Sequence, residues 1–286
     1  MQQKSVGLIG IGLLGGALAE RLIGAGWNVI GFDLDSRRLD FLCGLTGRTA
    51  ESVLQVVEAV DTILLSLPTS DIAAGIIHSL DMSLSGKTFI DTTTGSPDEM
   101  QHLGEHLATR GAHYLDATIA GSSSQVRTGE VVVMIGGEPE IVAKCDEIIG
   151  CFATRSFHVG SWGAGARMKL VVNLVLGLNR AVLAEGLCFA ERSGVDPRQA
   201  LEVLRAGPAF SRVMDTKAEK MLTGDFAPQA RLSQHLKDVR LILASGANCD
   251  ARLPMSTLHE QLLTELERAG YGDLDNSAIV KAFERE

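Results

Sequence analysis

The chain has 286 residues, 45% of them hydrophobic and 21% charged, which is enough apolar sequence for a sizeable core in two domains and too little charge for disorder. A net charge of -9, with no Lys/Arg cluster, excludes nucleic acid as a partner. Five scattered cysteines without a Cys-x-x-Cys, and seven histidines without ligand spacing, predict a reducing, cytoplasmic setting and no metal.

The start of the chain has two readings. Lys4 followed by an apolar, small-residue run to Ala19 has the outline of a signal peptide. The glycine spacing and Asp33 favour a buried strand over residues 5–10, a glycine turn, a helix over 13–25 and a second strand from Trp27 to Asp33. Strand-like runs follow at Val60–Leu67, Lys87–Asp91, His113–Asp116 and Val131–Ile135, with a helix starting near Ser96-Pro97. Continuous apolar strands alternating with helices predict a parallel sheet covered on both faces. After about residue 160 the pattern turns helical. Met168–Arg192 reads as one long helix stopped by Gly194, with further helices at 197–205, 211–222, 231–246, 255–269 and 276–284. No other run reads as long and apolar enough to span a bilayer, so no membrane partner is expected. The predicted class is α/β: a Rossmann-type parallel-sheet domain over residues 1–162, followed by an all-helical domain over residues 163–286.

Gly10-Ile11-Gly12-Leu13-Leu14-Gly15 is G-x-G-x-x-G between a strand and a helix. Gly10 permits the tight turn, Gly12 the approach of a pyrophosphate, and Gly15 close helix–strand packing, while the helix N-terminus offers N–H groups to phosphate. Asp33, about 20 residues on, can accept both ribose hydroxyls of NAD, or can serve as a turn or capping aspartate. Asp35 and Ser36 are alternative caps. Arg37 and Arg38 leave NADP open through pairing with a 2′-phosphate. NAD is the expected cofactor, with NADP possible. Lys169 and Asn173 are four residues apart, on one helix face among apolar neighbours. Such a lysine is either a snorkelling surface residue or, desolvated in a cleft, a general acid/base with Asn173 beside it to hold a substrate hydroxyl. Phe226 lines a pocket or packs in the core.

Four segments together resemble the β-hydroxyacid dehydrogenase family, whose members include 3-hydroxyisobutyrate dehydrogenases and tartronate and glyoxylate semialdehyde reductases. They are the glycine turn, Leu115-Asp116-Ala117-Thr118-Ile119-Ala120-Gly121-Ser122, Gly163 to Asn173, and His235-Leu236-Lys237-Asp238-Val239. The resemblance implies hydride transfer between NAD(P) and a small hydroxy acid or semialdehyde. Lys169 would be the general acid/base and Asn173 the substrate-orienting residue. Leu67, Pro68, Thr94 and Lys237 would lie at the cofactor, and Asp238 would have a packing role. It also implies a homodimer or homotetramer. The usual family segment D-A-P-V-S-G-G departs here to Thr118, Ala120 and Ser122. Gly121, Ser122 and Ser123 are therefore the expected substrate-carboxylate donors, against the alternative of a serine-rich surface loop. Two rival functions stay open: an NADPH-dependent glyoxylate, succinic or tartronate semialdehyde reductase, and a dinucleotide-binding regulatory protein without catalysis.

Overall fold

The computed structural model describes residues 4–284; residues 1–3 and 285–286, the outermost positions of the two expected domains, lie outside the described residues. The chain packs as two compact units, Met1–Lys169 and Leu170–Glu286.

In the first unit the strands are β1 (Ser5–Ile9), β2 (Asn28–Phe32), β3 (Arg48–Thr49), β4 (Thr62–Leu65), β5 (Thr88–Asp91), β6 (His113–Ala120), β7 (Val132–Gly137) and β8 (Arg155–Gly160). Among the described residues they form one sheet in the order β3-β2-β1-β4-β5-β6-β7-β8. The helices between them are α1 (Leu13–Gly24), α2 (Ser36–Gly44), α3 (Val53–Ala59), α4 (Ser70–His78), α5 (Pro97–Thr109), α6 (Ser123–Thr128) and α7 (Pro139–Gly150). Local chemistry starts several of them. Ser96 caps α5 with Pro97 at its first position, and Ser122 and Gln125 close a capping box on α6. The apolar runs of β1, β4 and β5 are buried because helices cover both sheet faces, giving one core around Leu8, Leu18, Leu64 and Phe152 and another around Ile63, Leu65, Phe89 and Tyr114.

The sheet is not parallel throughout. β6 and β7 pair antiparallel, with Leu115 opposite Gly137 and Ala120 opposite Val132. The link between them is Gly121–Val131, with α6 spanning only Ser123–Thr128, too short to carry the chain back for a parallel crossover. β6 also runs four residues beyond the predicted Asp116, because β7 supplies it with a partner as far as Ala120.

Helix α8 (Ala164–Arg192) begins four residues before the expected Met168, and the division between the units falls inside it. By length and composition alone α8 could cross a membrane, contrary to the expectation that no such run follows the N-terminal segment. Its apolar window is 44% buried within the protein. The polar positions Asn173 and Arg180, both buried, lie on one side of it. The second unit continues with α9 (Pro197–Ala206), α10 (Val213–Thr223), α11 (Leu232–Asn248) and α12 (Pro254–Leu266). Leu187, Leu201, Met214, Leu236, Leu263 and Ile279 are in its core, and Phe226 packs there too. The expected helix at 276–284 is a short 3-10 segment, Asn276–Ala282, entered through Asp275, whose carboxylate accepts from the Ser277 N–H and hydroxyl and from Lys217. A buried ion pair thus fixes the end of the helical unit.

Candidate active site

The glycine turn follows β1, beside β4, where the strand order of the sheet reverses direction; open α/β sheets bind ligands at this point. Gly10 has φ +90°, a conformation that disfavours any side chain, and a Cβ there or on Gly15 would run into backbone. A Cβ on Gly12 would meet nothing within 4 Å, so the chain lies open at the position that a pyrophosphate approaches. No side chain caps the N-terminus of α1. Ile11, Leu13 and Leu14 complete the turn, and the Ile11 N–H donates to Asp33 Oδ2 at 2.6 Å. Asp33 Oδ1 accepts from the Asp35 N–H at 2.9 Å. Asp33 therefore braces the turn, and its carboxylate retains further lone pairs. Asp35 is the cap of α2, accepting from the Arg37 N–H at 3.0 Å. The Arg37 guanidinium grips the same carboxylate at 3.0 and 2.9 Å, which lowers the Asp35 pKa.

The ends of β4 and β5 are tied together. The Leu67 N–H donates to Thr93 Oγ1 at 3.3 Å, and the Thr92 hydroxyl to Leu65 O at 2.8 Å. Beneath them buried Asp91 accepts from the Thr93 N–H and the Tyr114 hydroxyl, each at 2.9 Å; burial raises its pKa. Leu67 and Thr94 are half-buried at this edge, and Pro68 is exposed. The glycine turn, residues 67–68 and Thr94 thus follow neighbouring parallel strands at their C-terminal ends.

Lys169 is half-buried, and its Nζ donates to the carbonyl of Ile119 at 2.6 Å. The ammonium sits at the end of β6, where the chain enters Ala120-Gly121-Ser122-Ser123. The capping box consumes part of this loop. The Ser122 N–H donates to Gln125 Oε1 at 2.9 Å, and Ser122 Oγ accepts from the Gln125 N–H at 3.3 Å and lies 2.7 Å from Ser124 Oγ. Gly121 and Ser123 are outside that box.

In the second unit the Asn173 side chain is buried and its Nδ2 donates to Asp238 Oδ2 at 3.0 Å, which orients the amide. Lys237 Nζ is 3.7 Å from Asp238 Oδ1. Asp238 joins the two expected site residues on α8 and α11. Gly177, one turn beyond Asn173, gives His235 room to approach the helix.

Two residues had no role assigned from the sequence. Asp116 Oδ1 accepts from the Gly163 N–H at 2.9 Å and Oδ2 from the Ala166 N–H at 2.8 Å, so a buried carboxylate holds the first turn of α8. Burial raises its pKa to about 6, against the pull of those N–H groups. Thr118, the first departure from the family segment, donates its hydroxyl to Gly165 O at 2.9 Å. A carboxylate at position two of Leu-Asp-Ala-Thr was the available signal; its partners are some 50 residues away and were not.

The residues 5–160 match a family model described as the NAD binding domain of 6-phosphogluconate dehydrogenase, and residues 163–283 one described as NAD-binding of NADP-dependent 3-hydroxyisobutyrate dehydrogenase. The chain belongs to the β-hydroxyacid dehydrogenase family, NAD(P)-dependent oxidoreductases that act on a CH–OH group. It is 29% identical to the 2-(hydroxymethyl)glutarate dehydrogenase of Eubacterium barkeri, over 98% of this chain and 95% of that one. It is also 29% identical to the 2-hydroxy-3-oxopropionate reductase of Escherichia coli K12, over 98% and 97%. The fold is that of a 3-hydroxyisobutyrate dehydrogenase of Mycobacterium tuberculosis solved with L-serine, with a TM-score of 0.89, 21% identity, and coverage of 99% of this chain and 100% of that one.

Proposed function

We propose that this enzyme interconverts a small 3-hydroxy acid and its semialdehyde, with Lys169 as the general acid/base. The observation that carries the reading is the Lys169 ammonium, held 2.6 Å from Ile119 O immediately before the Gly121–Ser123 loop. A substrate carboxylate on the loop's remaining N–H and hydroxyl donors would bring its β-hydroxyl toward this amine. In oxidation the neutral amine of Lys169 takes the hydroxyl proton as the C–H bond breaks; in reduction the ammonium returns a proton to the forming alkoxide. Asn173, with one N–H committed to Asp238, has its carbonyl oxygen and second N–H to orient the hydroxyl. Asp238 holds that amide in place. NAD(P), when bound, accepts or supplies the hydride. The glycine turn, the uncapped start of α1 and Asp33 fit its pyrophosphate and adenine ribose, and Leu67, Pro68 and Thr94 are assigned to its flank.

NAD is the preferred cofactor. A carboxylate at Asp33 repels a 2′-phosphate, and Arg37, one of the two nearby arginines, is engaged with Asp35. The division of labour follows the expected domains, with residues 1–162 binding dinucleotide and 163–286 serving substrate and assembly. The named activities of the two relatives at 29% identity, on a small hydroxy acid and a semialdehyde, agree with this substrate class.

Assembly into a homodimer or homotetramer runs through α8. Val171, Val175, Val182 and Phe189 fall on one stripe and are 55%, 51%, 57% and 72% exposed, an apolar face that a second copy would cover. All five cysteines are free thiols, as suits a cytoplasmic protein.

The test is nicotinamide absorbance with NAD+ or NADP+ against small 2- and 3-hydroxy acids, and with NADH or NADPH against semialdehydes. Turnover confined to 3-hydroxy acids and semialdehydes is expected, with a higher kcat/KM for NAD. A preference for 2-hydroxy acids contradicts the substrate class, and a preference for NADP contradicts the cofactor assignment.

A further inference from the structure

Strand β6 does more than end beside Lys169. Asp116 and Thr118 are two residues apart and therefore on one face of the strand, and both reach the first turn of α8. Asp116 takes the N–H groups of Gly163 and Ala166, donors at a helix start that have no partner within the helix. Thr118 donates to Gly165 O, the carbonyl that in the regular i to i-4 pattern accepts the N–H of Lys169 itself. The same hydroxyl lies 3.4 Å from Met134 O on β7. Space for this grip comes from glycines on both sides. A Cβ on Gly165 would stand 2.7 Å from Met134 O and 2.8 Å from Asp116 Oδ2, and a Cβ on Gly136 would strike the other oxygen of Asp116. A proline at position 118, the residue of the usual family segment, has no hydroxyl to offer here.

We propose that Asp116 and Thr118 are positioning residues for Lys169, clamping the first turn of α8 onto β6 so that the Lys169 amine is held at the end of that strand. This rests on Lys169 being the general acid/base. Neither residue need touch substrate. Their effect is on where the amine stands, so they act on kcat and leave cofactor binding alone.

The experiment compares Thr118→Val, Thr118→Ser, Asp116→Asn and Lys169→Ala in steady-state turnover, with hydrogen exchange of residues 163–169 as a second readout. Thr118→Val is expected to lower kcat roughly tenfold with the cofactor KM unchanged, and Thr118→Ser to restore it to within about twofold. Asp116→Asn leaves one oxygen for two donors. It is expected to lower kcat roughly a hundredfold and to speed exchange at Gly163 and Ala166. Wild-type kcat in Thr118→Val, with Lys169→Ala inactive, overturns the clamp alone. Equal impairment of the serine and valine variants assigns the effect to packing and also overturns it. Full turnover by Lys169→Ala overturns the acid/base reading, and the proposal with it. If Asp116→Asn does not fold, the valine and serine pair decides.

Discussion

Gly165→Ala adds one methyl where the start of α8 meets the sheet. The new Cβ would lie 2.7 Å from Met134 O and closer still to Asp116 O, both backbone atoms of central strands. Ordinary contact begins near 3.4 Å and the Asp116 O contact is the tighter of the two, so the helix must move by about 1 Å, because the strands are locked in their ladder. Two effects on stability oppose each other. Overpacking of this kind costs about 1–3 kcal/mol, while replacing glycine within a helix returns about 1 kcal/mol. The net loss is small, of order 1 kcal/mol, and the protein remains folded. Catalysis has no such compensation. A reacting group displaced by about 1 Å loses on the order of a hundredfold in rate, equivalent to about 2.7 kcal/mol in the barrier. The assay is kcat for the best hydroxy acid beside thermal unfolding of the same preparation. Gly75→Ala in α4, where a Cβ meets nothing within 4 Å, is the control and is expected to be neutral or slightly stabilising. Wild-type kcat in Gly165→Ala would refute the reasoning that the closeness of this helix to the sheet sets the position of Lys169.

Other outcomes follow from named contacts. Burial, and then the charge of Arg180, lowers the His259 pKa to about 4 from its ordinary 6.5. The folded state thus prefers the neutral ring, and this stability is present above pH 6.5 and lost as pH falls through about 4. Between pH 7 and 4 the wild type is expected to lose about 3 kcal/mol more than His259→Gln; parallel denaturation curves for the two proteins contradict the shift. Lys217→Met leaves buried Asp275 without its cation and is expected to cost about 3–5 kcal/mol in chemical denaturation. Asp33→Ser is expected to raise kcat/KM for NADP relative to NAD by tenfold or more; an unchanged ratio removes Asp33 from cofactor choice. Phe189→Glu is expected to produce monomers by light scattering, and an unchanged molar mass moves the interface elsewhere.

The parts of this molecule that sequence alone revealed are those written in adjacent residues. Gly10, Gly12 and Gly15 lie in one turn, and Lys169 and Asn173 one helical turn apart, so spacing suffices for both. What depends on distant partners was hidden. α8 starts at Ala164 because a carboxylate 48 residues earlier accepts its first N–H groups. β7 runs antiparallel because the α6 connection is short, although its apolar run alone looks like any parallel strand. The serine loop carries its capping box in plain view as Ser122 and Gln125, of which the sequence reading offers only Ser122 as a ligand donor. Asp238 was expected only to pack, and it is the acceptor that orients Asn173.

The central claim is that Lys169 moves the substrate proton. Its most direct test is turnover by Lys169→Ala across the pH range, with cofactor affinity measured separately by nicotinamide fluorescence. The account predicts unchanged cofactor binding with kcat reduced by roughly a hundredfold to ten-thousandfold, and partial recovery on adding small primary amines. A variant that binds cofactor and turns over at the wild-type rate would contradict it.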